Sequence, residues 1–126
     1  MILLDTCALL WLAHEKEHLS RETIGRISNS PLVYVSAISA FEIGLKYNSG
    51  RLVLPVPPRE WIGDIMAHHD LTLVDIDLAI SIRATELPPI HRDPCDRFII
   101  ATALVNSLTV VTADTRFREY GVTVIL

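Results

Sequence analysis

The sequence predicts an α/β fold, in which a five-stranded, mostly parallel sheet carries helices on both faces. Short apolar runs alternate with longer segments of helical periodicity along all 126 residues. The first run, Met1–Leu4, is continuously apolar, as expected of a strand that is covered on both faces. The length indicates one domain over residues 1–126, and a hydrophobic content of 50% suffices for a buried core.

The first half of the chain alternates two strands with three helices. Residues 1–5 and 32–35 are predicted strands because they are apolar or rich in β-branched residues. A helix is predicted wherever a hydroxyl residue can cap a following helical segment: Thr6 before 7–13, Ser20 before 21–29 and Ser36 before 37–48. Ser49-Gly50 ends the third of these helices.

The second half begins with a proline-spaced connector over 52–58, which the interior of a sheet would not tolerate. Helices are predicted at 60–68, from Asp77 to just before Pro88, and from Asp93-Pro94 to about Ser107. Strands are predicted at 71–76, 108–112 and 122–126, with a short helical turn near Phe117. This alternation implies right-handed crossovers and a parallel sheet, in which ligands bind beyond the carboxyl ends of the strands.

Four acidic residues are predicted to gather at that edge. Asp5 ends the first strand and Asp114 follows the fourth strand. Asp96 lies in the first turn of the helix that Asp93 caps, and Glu42 lies on the third helix. Mg²⁺ and Mn²⁺ prefer oxygen ligands, and neighbouring strand ends are only about 4.8 Å apart. The four acids together therefore predict a divalent-metal site.

Each acid also has a structural explanation. Asp5 and Asp114 can cap the helices that follow them, and an acid in the first turn of a helix is favoured by the macrodipole. Glu42 borders a predicted inward stripe formed by Ile38, Phe41 and Leu45, but it can equally form an exposed ion pair with Lys46. These alternatives stay open at the level of sequence.

Charge and cysteine content exclude several other classes of protein. The net charge is −4, and there is no basic arm, although most of the basic residues are arginines suited to phosphate contacts. Two cysteines are too few for a disulfide framework or a zinc cluster. No signal peptide and no membrane-spanning segment is visible, so we expect a cytoplasmic protein.

Four segments carry a resemblance to a known family. They are Leu3–Thr6, Ser36–Ile43 with Lys46, His91–Ala101 and Val111–Phe117. Over its full length the chain resembles the PIN-domain ribonucleases, and among them the VapC-type toxins of bacterial toxin–antitoxin pairs. Related chains commonly carry Phe where Cys95 stands here, a departure that leaves the acids untouched.

The resemblance implies a PIN domain with sheet order 3-2-1-4-5 and a toxin that is a Mg²⁺- or Mn²⁺-dependent endoribonuclease. It assigns the metal and the catalysis to Asp5, Glu42, Asp96 and Asp114, with Thr6 and Thr112 as supporting hydroxyls. Lys46, Arg92 and Arg97 are candidate contacts to RNA phosphates. The resemblance further implies a homodimer that is inhibited by a small cognate antitoxin covering the acidic pocket.

Three alternatives remain at this stage. A phospho-receiver signalling domain also combines a five-stranded parallel sheet with clustered acids, but it needs a lysine near the last strand, and the only lysines here are Lys16 and Lys46. A PIN-type nuclease outside any toxin–antitoxin pair is the second alternative. Action on DNA is the third, since no residue that would recognise a 2′-hydroxyl is evident.

Overall fold

A parallel sheet of five short strands forms the centre of the computed structural model, which describes all 126 residues. The strands are β1 (Ile2–Leu4), β2 (Val33–Ser36), β3 (Thr72–Val74), β4 (Thr109–Val111) and β5 (Val124–Ile125). The helices are α1 (Thr6–His14), α2 (Arg21–Asn29), α3 (Ala37–Asn48), α4 (Pro58–His68), α5 (Leu78–Glu86) and α6 (Pro94–Asn106). Two 3-10 helices cover Lys16–His18 and Thr115–Tyr120. No helix is long and apolar enough to cross a membrane.

The strand order is β3-β2-β1-β4-β5, and every pair of neighbours is parallel. This confirms the predicted order 3-2-1-4-5. Leu4, the last residue of the central strand, pairs with Val35 on one side and Val111 on the other. Flavodoxin-like receiver folds have the order 2-1-3-4-5, so the topology argues against the signalling alternative.

Helices cover both faces of the sheet, as predicted. Alternate residues of β1 divide the core: Ile2 and Leu4 pack into one apolar cluster with α1 and with Trp61 of α4, while Leu3 packs into the other. The second cluster joins α5 and α6 to the sheet. The central strand is buried on both sides, which explains why its sequence is apolar without alternation.

Two local predictions were wrong. Asp5, not Thr6, caps α1: its carboxylate accepts the N–H of Ala8, and Thr6 is the first helical residue. The predicted inward stripe of α3 also fails, because Phe41 and Leu45 are 57% and 48% exposed. The buried residues of α3 are Ser39, which forms a hydrogen bond with Thr6, and Ile43, which packs into the same apolar cluster as Trp61.

Candidate active site

The four predicted acids line one open cavity of about 430 Å³ at the carboxyl edge of β1 and β4. Asp5 follows β1, and Asp114 lies just beyond β4. Glu42 enters from α3, and Asp96 enters from the first turn of α6. Right-handed crossovers bring both helices to this edge. Four carboxylates that are far apart in sequence therefore face one volume.

Asp5 is the most buried of the four, with 7% of its surface exposed. Burial is the main reason that its pKa is raised, and the charges of Glu42 and Asp114 add to the effect. The Thr112 hydroxyl and the Ala8 N–H act in the opposite direction. No ion pair in the protein includes Asp5. A buried carboxylate without a cationic partner favours a bound cation.

Glu42 is held by two neighbours. The Thr6 hydroxyl donates to its Oε1 at 2.7 Å, and Lys46 Nζ lies 3.1 Å from its Oε2. The side chain of Glu42 is only 15% exposed, so the ion pair with Lys46 exists but is not the solvated surface pair that the sequence left open. Burial acts to lower the pKa of Lys46, yet the hydrogen bond and charge of Glu42 outweigh it, and that pKa is raised.

Asp96 and Asp93 divide two roles at the start of α6. Asp93 caps the helix by accepting the Cys95 N–H at 2.9 Å. Both residues line the cavity, but Asp96 caps no backbone N–H, and its side chain is 23% exposed. Burial, followed by the charge of Asp93, raises the pKa of Asp96 to about 6. A positive charge bound beside Asp96 would therefore favour its ionised form.

Asp114 has the opposite electrostatic character. Arg116 donates to both carboxylate oxygens, at 3.0 Å through Nε and 2.8 Å through Nη2. This contact is the main reason that the pKa of Asp114 is lowered to about 2. Thr112 lies beside it and accepts the Asp114 backbone N–H at 3.0 Å. Asp114 therefore stays ionised throughout the physiological range of pH.

Two residues of the site had no role assigned from the sequence. Arg116 covers Asp114 as described, and buried His91 reaches both Asp96 and Asp114 through Nε2, at 3.1 and 2.8 Å. The sequence left open whether His91, just before Asp93, contacts the substrate or orders the loop. The sequence shows only that these residues lie a few positions from Asp93 and Asp114. Their contacts with the acids depend on how α6 and the Thr115–Tyr120 turn pack together.

The three candidate RNA-binding residues lie in different environments. Lys46 lines the cavity, and Arg92 is exposed and directly precedes Asp93, another residue that lines it. Arg97 is turned away: its guanidinium donates to four backbone carbonyls, those of Ala84, Leu87, Pro88 and His91, at 2.7–3.0 Å. Arg97 thus fastens the segment between α5 and α6, and we do not carry it into the proposed substrate contacts.

The two cysteines lie close to the acids. Burial, followed by the charge of Glu42, raises the pKa of Cys95 to about 11. The pKa of Cys7 is also raised, by burial and then by Asp5. Both thiols are therefore protonated at neutral pH and are poor nucleophiles.

The donor set suits a hard divalent cation. The cavity presents carboxylate oxygens and no thiolate, and its most buried carboxylate lacks a cationic partner. Oxygen donors of this kind match Mg²⁺ and Mn²⁺ rather than Zn²⁺.

Comparison with known proteins identifies the class to which this fold and site belong. The family model of the PIN domain matches residues 2–122. Ribonuclease VapC22 of Mycobacterium tuberculosis (strain ATCC 25618 / H37Rv) is 31% identical over 120 residues, which cover 94% of this chain and 91% of that protein. The chain therefore belongs to the PIN domain family.

Solved structures confirm the fold. The crystal structure of VapBC2 from Rickettsia felis bound to a promoter DNA fragment contains a similar chain, with a TM-score of 0.74 and 14% identity. That alignment covers 99% of this chain and 98% of the other. A chain of FitAcB from Neisseria gonorrhoeae gives a TM-score of 0.68 at 23% identity, covering 100% and 97%. At these identities the likeness extends to the fold alone.

Proposed function

We propose that this protein is a divalent-metal-dependent endoribonuclease and the toxin of a toxin–antitoxin pair. One observation carries the nuclease assignment: four carboxylates from four elements line a single cavity, and the most buried of them, Asp5, has no cationic partner. The named ribonuclease relative supports RNA as the substrate. We place the enzyme in the cytoplasm, where that substrate is found.

Asp5 and Asp96 are our first choices for holding Mg²⁺ or Mn²⁺, since the pKa of each is raised by burial. Glu42 and Asp114 complete the negative pocket, and each has an oxygen near a cationic side chain. A bound metal supplies an activated water and stabilises charge on the phosphoryl oxygens. Thr6 and Thr112 orient Glu42 and Asp114 through the hydrogen bonds described above.

The residues of this chain align the substrate for in-line attack. Lys46 and Arg92 are the proposed contacts to RNA phosphates, because Lys46 lines the cavity and Arg92 is exposed and directly precedes Asp93, which also lines it. Glu42 or Asp114 orients the attacking water. Hydrolysis in this way leaves a 5′-phosphate and a 3′-hydroxyl, so the RNA itself needs no 2′-hydroxyl as nucleophile.

An apolar groove next to the acids suits the antitoxin. The groove has a volume of about 520 Å³ and shares Cys7 and Trp11 with the acidic cavity. Val53 lies in its wall and is 90% exposed. Leu12 of α1 does not contribute to the groove, because it is buried in the core. A short apolar helix in this groove would place an arginine of the partner beside the acids.

The proposed homodimer would form through exposed apolar residues on two helices. Two pairs of exposed apolar residues lie one helical turn apart, Phe41 with Leu45 on α3 and Leu78 with Ile82 on α5. Sedimentation of Phe41→Glu and Leu78→Glu would identify the face that pairs. A wild-type protein that sediments as a monomer at micromolar concentration would refute the dimer.

The test of the nuclease assignment compares amide substitutions at five acids. Asp5→Asn, Glu42→Gln, Asp96→Asn and Asp114→Asn should each lower RNA cleavage by at least about 100-fold. Asp93→Asn is the matched control, because Asn also caps helices well, and we expect a change below about threefold. Circular dichroism confirms that each variant is folded. If Asp93→Asn and Asp96→Asn lost equal RNA-cleavage activity, the assignment of Asp93 as a helix cap and Asp96 as a metal ligand would be wrong.

The substrate and the toxin assignment need separate measurements. Cleavage of an RNA and of the DNA of the same sequence, with and without EDTA, distinguishes a metal-dependent ribonuclease from a deoxyribonuclease. Expression of the wild type should arrest growth, and the product of a small neighbouring gene should restore it by direct binding. Val53→Asp should weaken that binding and spare cleavage, whereas Val105→Asp, at the far end of α6, should change neither. Normal growth during expression of active enzyme would refute the toxin assignment.

A further inference from the structure

We infer that His91 is a positioning residue, which sets the separation of the Asp96 and Asp114 carboxylates because its Nε2 hydrogen-bonds Asp114 and contacts Asp96. This role rests on the proposed metal-dependent function. His91 is 2% exposed, and its Nε2 lies 3.1 Å from Asp96 Oδ2 and 2.8 Å from Asp114 Oδ2. The three side chains also have the residue types of a metal site, so their geometry must decide between a hydrogen-bond donor and a ligand.

The contact of the other ring nitrogen, Nδ1, shows whether His91 is a hydrogen-bond donor or a metal ligand. The backbone N–H of Asp93 points at His91 Nδ1, with a distance of 3.2 Å. Nδ1 must accept this hydrogen bond, because a proton on Nδ1 would face the N–H directly. The ring proton therefore sits on Nε2, between the two carboxylates. A nitrogen that carries this proton cannot bind a metal, which assigns His91 as a donor.

The backbone polar atoms of His91 also have hydrogen-bond partners. Its backbone N–H donates to Tyr120 Oη at 2.6 Å, and that hydroxyl donates to the carbonyl of Pro88. Its own carbonyl accepts from Arg97. The ring packs edge-on against buried Phe117, with 6.0 Å between centroids. The imidazole is thus held from all sides and has no freedom to swing toward solvent.

His91 connects two elements that are separate in the chain. Asp96 belongs to α6, whereas Asp114 precedes the Thr115–Tyr120 turn. His91 Nε2 hydrogen-bonds Asp114 Oδ2 and lies 3.1 Å from Asp96 Oδ2, so one side chain contacts both carboxylates. Residues that orient metal ligands in this way typically change metal affinity by about 10- to 100-fold when they are replaced.

Two polar substitutions separate this role from a merely structural one. His91→Gln places an amide N–H near the position of Nε2, and His91→Asn keeps an acceptor near Nδ1 but cannot reach the carboxylates. We expect Mn²⁺ affinity, measured by electron paramagnetic resonance, to fall about 10- to 100-fold in His91→Asn and less than about threefold in His91→Gln. Thermal unfolding reports folding separately. Equal Mn²⁺ affinity in all three proteins would overturn the inference.

The tautomer gives an independent readout. Nitrogen-15 spectra of the histidine rings, with the His91 signals identified from their absence in His91→Gln, should show a proton on Nε2 before and after Mg²⁺ is added. A switch of the proton to Nδ1 on adding Mg²⁺ would make His91 a ligand and refute its role as donor. Failure of the wild type to bind Mn²⁺ at all would instead refute the proposed function.

Discussion

Substitution of Asp96 by Asn should stabilise the protein when divalent ions are removed. The pKa of Asp96 rises from 3.8 to about 6 in the folded state, first because of burial and then because of Asp93. In the unfolded chain Asp96 loses its proton near pH 4. Between about pH 4 and pH 6 the folded state therefore holds a proton that the unfolded state has lost. Stability falls across this window as pH rises, and the loss is complete above it.

The size of the effect follows from that shift. A difference of roughly 2 pKa units corresponds to about 3 kcal/mol. The side chain is 23% exposed, and solvent screening reduces the figure, so we expect about 1–2 kcal/mol at pH 8. For a domain of this size that gain raises the melting temperature by about 3–8 °C. His91 keeps its hydrogen bond to Asp114 in this variant, so no buried donor loses its partner.

The assay is thermal unfolding of wild type and Asp96→Asn, freed of divalent ions, at pH 8 and at pH 4. Asp64→Asn, at an exposed position of α4, is the control and should match the wild type. Saturating Mn²⁺ should reverse the order, because binding stabilises the wild type by roughly 2.7 kcal/mol at 100 times Kd. An Asp96→Asn protein that melts no higher at pH 8, or keeps its full gain at pH 4, would refute the reasoning.

Three further predictions concern Arg97, the C-terminal end of α6 and Asp114. Arg97→Met should destabilise the fold by about 2–4 kcal/mol in denaturant unfolding, since four carbonyls lose the hydrogen bonds that its guanidinium donates, whereas Arg92→Met should leave stability unchanged and weaken RNA binding. Ser107 has a positive φ of 54° at the end of α6, so Ser107→Gly should raise stability by about 0.5–1 kcal/mol in the same assay. Asp114, with its pKa near 2, stabilises the fold above about pH 4, and this contribution is lost as pH falls toward 2. Arg116→Met should move this loss of stability to higher pH when unfolding is followed by acid titration. Unfolding at the same pH in the variant and the wild type would contradict the role of Arg116.

The order of the elements and the edge at which the acids meet were determined by sequence alone. The β1 run is apolar without alternation because both of its faces are buried, and helices begin at Ser20, Ser36 and Asp93, where a side chain can cap the first turn. Strand ends in a parallel sheet meet at one edge, so Asp5 and Asp114 could be placed near each other without coordinates. These features depend on local chemistry and on general rules of chain connection.

Tertiary packing decided what each side chain at that edge contacts. The inward side of α3 could not be predicted because Phe41 and Leu45, the most apolar choices, remain exposed while Ser39 packs against Thr6. The direction of Arg97 and the bridge from His91 to two acids depend on how α5, α6 and the last turn pack together. Hydrogen bonds between residues distant in sequence depend on positions to within a fraction of an ångström. Periodicity and capping determine where helices and strands lie in the sequence. The distances between side chains of different elements are determined only by the packed fold.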